Sequence, residues 1–266
     1  MMSRTLPGSE PLGLREAGSG APLVLIHGVG MQSAAWEPQI SALCETHHVV
    51  ALDMPGHGQS APLAPGAPLE AFVDWARGAI EALGLGPASV AGHSMGALVA
   101  GGLAVSHPDL VSRVALLNGV FRRDAAARAA VEARADEIGT GSFDLETPLK
   151  RWFGDTPTEV AACKKVSGWL RQVDIGGYAT AYGAFARGDA TYADRFHEIR
   201  CPLLALTGSG DANSSPEMSR AMAEAAPNGR AVVIEGHRHM VNLTAPERVT
   251  EEMRAWLAEG TPEETA

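Results

Sequence analysis

The sequence predicts an α/β protein: a doubly wound, mostly parallel sheet with a helical cap inserted into it. Three observations carry that prediction. Short apolar runs alternate with longer helical stretches, which is the rhythm of strand–helix–strand units with right-handed crossovers. Runs such as Pro22-Leu23-Val24-Leu25-Ile26 are apolar throughout, as strands buried on both faces of a parallel sheet must be. From about residue 120 to 195 the rhythm breaks and only helical segments remain. The expected division is an α/β core of residues 1–119 and 196–266, with residues 120–195 as the cap.

Taken in order, residues 1–11 show no period and are expected to fray. The strand at 22–26 ends at His27-Gly28-Val29-Gly30, and a helix carrying Trp36 follows. The next strand, 48–52, runs into Asp53-Met54-Pro55-Gly56-His57-Gly58-Gln59-Ser60, and a helix is expected over 69–83. Residues 88–91 are a short buried strand, and 97–105 a proline-free run of small and aliphatic residues that reads as a buried helix. A strand at 114–117 stops at Asn118-Gly119. Four helical stretches follow, at 123–138, 148–153, 158–173 and 175–187, and an insertion there is expected to lie over the C-terminal strand ends as a lid. The sheet resumes at 202–207 and 230–234, with helices at 216–226 and 246–257.

Between the strand at 88–91 and the helix at 97–105 stands Gly92-His93-Ser94-Met95-Gly96, a G-x-S-x-G match. A sharp strand–serine–helix turn exposes Oγ and aims the helix N-terminus at the same place, where N–H groups can meet an oxyanion. The bland alternative is a serine that only caps the helix. A serine hydroxyl becomes a nucleophile when a base takes its proton and a carboxylate orients the base. In an open α/β sheet such groups belong just past strand C-termini. Two downstream strands supply them: one runs into Gly208-Ser209-Gly210-Asp211, the other into Gly236-His237-Arg238-His239. The order Ser94, Asp211, His239 is the one expected for a serine on an elbow.

Composition bounds the partners. The chain has 266 residues, 45% hydrophobic and 20% charged, enough for one full core, and a formal net charge of −10. That balance argues against nucleic acid or an anionic membrane surface as partner. Cys44, Cys163 and Cys201 are scattered and odd in number, which suggests neither disulfides nor a zinc cluster. There is no H-E-x-x-H, no CxxC pair and no G-x-x-x-x-G-K-[ST], so neither metal nor cofactor is expected. The start of the chain has no signal-peptide pattern, and no apolar run approaches the ~20 residues of a spanning helix. A soluble, cytoplasmic protein is expected, acting on a small molecule, with a homodimer as the one oligomer to consider.

Five motifs together resemble the α/β-hydrolase superfamily: His27-Gly28-Val29-Gly30 with Trp36, Asp53-x-Pro-Gly-His-Gly-x-Ser60, Gly92-x-Ser94-x-Gly96, Gly208-x-x-Asp211, and His239 with Pro246-Glu247. In the cap, Arg151-Trp152-Phe153 and the passage into Arg200-Cys201-Pro202 are similar to the compact esterase and 3-oxoadipate enol-lactonase-like branch. The resemblance implies Ser94 as nucleophile, His239 as general base and then acid, and Asp211 as the orienting carboxylate. It implies an oxyanion hole from the backbone N–H groups of Val29 and Met95. Asn118 stands where some relatives carry the acid and cannot serve as one. Haloalkane dehalogenases and epoxide hydrolases of this fold place aspartate at the elbow, so neither activity is expected. His27 is expected to brace the oxyanion loop and His93 to point away from the site. His239 is favoured over His237 because the run Met240 to Pro246 follows it. Arg122, Arg123, Arg151 and Arg187 are candidates to bind a substrate carboxylate, with Arg151 and Arg187 preferred. Met31, Met95, Trp152 and Trp169 are candidates for an apolar acyl pocket. The expected reaction is hydrolysis of a small or medium ester or lactone through an acyl-enzyme. The alternative is carbon–carbon hydrolysis of a vinylogous diketone from ring fission. From another class, a slow-turnover small-ligand receptor on the same scaffold stays open.

Overall fold

A computed structural model describes residues 2–5, 11–141 and 144–260. In chain order the elements are β1 (Met2–Thr5), β2 (Pro11–Ala17), β3 (Ala21–Ile26), α1 (Glu37–Leu43), β4 (His47–Leu52), α2 (Leu69–Ala82), β5 (Ala88–His93), α3 (Met95–Ser106) and β6 (Val111–Leu117). Then come α4 (Ala125–Gly139), α5 (Glu146–Trp152), α6 (Pro157–Leu170) and α7 (Ile175–Arg187). β7 (Leu203–Gly208), α8 (Pro216–Ala225), β8 (Gly229–Ile234), the single turn α9 (Val241–Thr244) and α10 (Pro246–Leu257) complete the fold. The eight strands form one sheet in the order β1-β2-β4-β3-β5-β6-β7-β8. β4, β3, β5, β6, β7 and β8 are parallel, while β1 and β2 pair antiparallel at one edge.

That edge corrects the expectation of a frayed start. Leu12, Gly13 and Leu14 are buried and Arg15, Glu16 and Ala17 half-buried, a run too short and too mixed to stand out as a strand. It forms because β4 offers Leu52 to Val49 as pairing partners for Leu14 to Ala17. The interior strands are as anticipated, β5 and β7 being buried at every position.

The sheet carries two apolar layers. One holds Trp36, Ile40, Leu43, Val249, Met253 and Trp256, from the α1 and α10 side. The other takes Phe72, Val73 and Ile80 of α2 and the buried residues of α3, and continues without a break into Ile138, Val166, Leu170 and Tyr178 of the inserted helices. Strand order reverses about β3, with β4 on one side and β5 on the other, so the loops after β3 and β5 splay apart above the sheet. A crevice opens at such a switch point.

Candidate active site

The turn between β5 and α3 fixes Ser94. Its backbone sits at φ 55° and ψ −114°, outside the ordinary regions for an L-residue, at a strain on the order of 1–3 kcal/mol. The surroundings enforce it. The Ser94 N–H donates to the Leu117 carbonyl at 2.8 Å, fixing the turn to β6. A Cβ on Gly92 would collide with the Gly96 carbonyl, and one on Gly96 with that of Ile26. Only glycine fits at either place, and the serine side chain is left facing a cavity of about 500 Å³.

Register brings the remaining parts to it. Ile26 pairs with Gly92, which sets the loop after β3 against the elbow. Val29 lies in that loop, and Met95 is the first residue of α3, where a backbone N–H has no partner within its helix. His27 donates from Nδ1 to the Gly28 carbonyl at 2.7 Å and accepts the Met54 N–H at Nε2, 2.9 Å. His57 does the same one loop over, accepting the Gly30 N–H at 2.9 Å and donating to the Pro55 carbonyl at 3.0 Å. Both rings are neutral: burial pulls His27 well below its ordinary value and His57 down to about 4. These histidines brace the loop that presents Val29.

On the other side, Asn118 donates its backbone N–H to Leu206 at 2.7 Å, joining the end of β6 to β7. Its side-chain amide donates to Asp211 Oδ2 at 2.8 Å. Asp211 Oδ1 accepts from the N–H groups of Asn213 (2.8 Å) and Ser214 (3.1 Å), and Oδ2 takes His239 Nδ1–H at 2.8 Å. Burial opposes ionisation of Asp211, but His239 and these donors outweigh it and hold the carboxyl below its ordinary value. With Nδ1–H committed to Asp211, His239 has Nε2 as the acceptor. His239 and Ser94 line the same cavity. Among the described residues Ser94 Oγ has no hydrogen-bond partner, and such bonds commonly tighten only when substrate arrives.

Trp152 of α5 stacks on the His239 ring, 5.6 Å between centroids. Arg238, next to His239 in the chain, donates to the carbonyls of Lys150 (3.1 Å) and Phe153 (2.6 Å) and so ties the end of α5 to the histidine loop. His237 turns elsewhere, to Thr244 Oγ1 at 3.0 Å. His93 does not point away as expected. Its Nε2–H donates to the His239 carbonyl at 2.8 Å, its ring lies 5.0 Å from that of His239, and burial lowers it to about 3.

Among the residues anticipated for substrate, Met31, Arg123, Arg151 and Trp152 line the cavity. Arg187 does not; it pairs with Asp136 at 2.8 Å on the exposed surface. Arg122 likewise pairs with Asp194, at 2.6 Å. The Met95 side chain is fully buried in the core, and Trp169 packs against the core at its margin. Arg134, Tyr178, Tyr182 and Phe185 line the cavity without having been anticipated. The last three sit at positions i, i+4 and i+7 of α7, an aromatic stripe that was there to be read.

A serine held on a strained turn above a parallel sheet is what the α/β-hydrolase class is organised around. The model of the alpha/beta hydrolase family matches residues 23–252, and the chain belongs to that family and is a hydrolase. It is 56% identical over 247 residues to the (E)-2-((N-methylformamido)methylene)succinate hydrolase of Acinetobacter baylyi, covering 93% of this chain and 94% of that one. Among solved structures it is similar to a thermophilic esterase from Thermogutta terrifontis with malate bound, at TM-score 0.85 and 28% identity over 96% of each chain. It is also similar to the enol-lactonase of Burkholderia xenovorans, at TM-score 0.81 and 25% identity over 97% of this chain and 100% of that one. Among the described residues no helix is long and apolar enough to cross a membrane.

Proposed function

We propose that the protein hydrolyses an open-chain, conjugated amidomethylene acid through an acyl-enzyme on Ser94, His239 and Asp211. The observation that carries the triad is the 2.8 Å bond from His239 Nδ1 to a buried Asp211, with the same histidine and the strained Ser94 facing one cavity. Ser94 Oγ attacks the acyl carbon as His239 Nε2 takes its proton. The Val29 and Met95 N–H groups meet the oxyanion. His239 then returns the proton to the departing nitrogen, and water repeats the sequence to free Ser94. Helices α4–α7 act as the cap, since residues of α4, α5 and α7 line the cavity beside Ser94.

The 56% identity supports the substrate class. Ester and lactone hydrolysis is supported at the level of the family only. The comparisons back the carbon–carbon alternative better, in that the named substrate is a conjugated open-chain acid containing no ester. The bond we infer is the acyl carbon–nitrogen bond. In an amidomethylene succinate the nitrogen lone pair delocalises into the unsaturated acid as well as the acyl group, so the nitrogen leaves more readily than from an ordinary amide.

The test is direct. Purified protein given (E)-2-((N-methylformamido)methylene)succinate is expected to release formate with steady turnover and a kcat/KM above that for p-nitrophenyl acetate. A higher value for the ester would return the ester reading, and one equivalent released before stalling would favour a receptor. Ser94→Ala and His239→Ala are expected to abolish turnover and organophosphonate labelling while staying folded. His237→Ala is expected to keep substantial activity.

A further inference from the structure

The groups facing the cavity do not share the charge of the chain. The protein carries a formal net charge of −10. The charged side chains lining this space are three arginines, Arg123, Arg134 and Arg151, against one carboxylate, Asp144, a surplus of two positive charges. The groups behind them do not cancel it. Asp189, buried behind Arg123, is shared: its carboxylate lies 3.3 Å from Arg123 Nη1 and 3.3 Å from Arg128 Nη2. Glu137, 3.2 Å from Arg134, has a side chain 61% exposed, so water screens it. Arg151 bonds a neutral partner, Asn213 Oδ1, at 3.2 Å. Tyr182 lines the same cavity as all three arginines.

Arg123 differs from the other two. Its side chain is 3% exposed and its guanidinium lies over the Phe185 ring, 4.4 Å from the centroid. Nη1 donates to the carbonyls of Phe185 (3.3 Å) and Ala186 (3.4 Å) and lies in ion-pair range of Asp189. Nη2 is buried and has no partner among the described residues. Buried donors are almost always paired, and a guanidinium offers its donors as a planar fork matched to a carboxylate. One arm of this fork is spoken for by the protein and the other is not.

We propose that the cavity is built for an extended dianionic acid, and that Arg123 is a specificity residue whose Nη2 edge takes one substrate carboxylate while Arg151 takes the other. This rests on the hydrolase reading above for its purpose, but its content is binding, and the two can fail separately. The experiment is calorimetric titration of the Ser94→Ala protein with succinate, butyrate and inorganic phosphate. Succinate is expected to bind at least about tenfold tighter than either of the others. Adding Arg123→Lys keeps a cation beside Asp189 but removes the second nitrogen, and is expected to cost about tenfold in succinate affinity. Arg187→Ala, on the outer surface, is expected to leave that affinity unchanged. Equal binding of succinate and butyrate, or phosphate binding as tightly as succinate, would overturn the proposal. So would an Arg123→Lys protein of unchanged thermal midpoint that binds succinate as before. If Arg123→Lys does not fold, the ratio of succinate to butyrate in the Ser94→Ala protein still decides. Absence of organophosphonate labelling in the wild-type protein would instead sink the acyl-enzyme reading and leave the binding result standing.

Discussion

Four groups donate to the Asp211 carboxylate at 3.1 Å or less: His239 Nδ1–H, the Asn118 amide, and the N–H groups of Asn213 and Ser214. They fix which oxygen meets His239, and so which histidine nitrogen carries the proton. Asp211→Asn keeps the shape but can present an amide N–H to Nδ1, favouring the other tautomer. A kcat loss on the order of 10⁴, the size seen in a serine protease triad, is expected with little change in KM or thermal midpoint. A loss below about tenfold would remove Asp211 from the mechanism. His93 makes a different contribution, since its Nε2–H anchors the carbonyl of His239, the proposed base. His93→Leu is expected to lower kcat more than it raises KM and to destabilise by about 1–3 kcal/mol through the unpaired carbonyl. Unchanged kinetics would mean that the base needs no anchor. Ser94, Asp211 and His239 were legible because each falls at a strand end, where position alone implies a shared site. The direction of His93 was not, because a side chain beside a strained turn is steered by loops distant in sequence.

At the scale of elements, the elbow is the least tolerant part of the fold. A Cβ on Gly96 would also press to 2.7 Å on the His27 carbonyl, and backbone on both sides leaves nothing flexible to yield. Gly96→Ala is expected to destabilise by about 1–3 kcal/mol and to lose organophosphonate labelling while secondary structure persists. A variant that labels normally would show that the turn can relax. Interior strands and amphipathic helices were legible from period and apolar runs. The β1–β2 edge was not, because four or seven residues are too few to stand out and the pairing rests on β4, a strand distant in sequence. The inserted helices were recognisable as helices, but which of their arginines turns inward depends on pairings such as Arg187 with Asp136, which no spacing announces.

For the molecule as a whole, three buried neutral histidines tie stability to pH. His27, His57 and His93 titrate below 6.5 in the folded protein, His57 at about 4 and His93 at about 3. Between those values and the unfolded value near 6.5 the unfolded chain binds more protons, so stability falls as pH falls through that window. Each histidine contributes up to about 1.4 kcal/mol per pH unit. Asp211, depressed in the folded state, adds a further loss only below its ordinary value of 3.8. Surface carboxylates stay ionised above about pH 5, so the histidines set the slope between 6.5 and 5. Thermal midpoints are expected to drop steadily from pH 7 to 5, and a flat profile would show that these rings are protonated without cost.

Arg238 grips the end of α5 from the residue beside His239, and Trp152 of that helix covers the imidazole. If His239 is the base, as proposed, it can therefore be disarmed from outside the cavity. A compound wedged under α5 at the Arg238 contact would lift Trp152 and shift His239 without meeting Ser94. It would inhibit reversibly, and selectively among family members to the extent that their caps lack this tether. An inhibitor series aimed there would owe nothing to the serine that covalent reagents of this class all share.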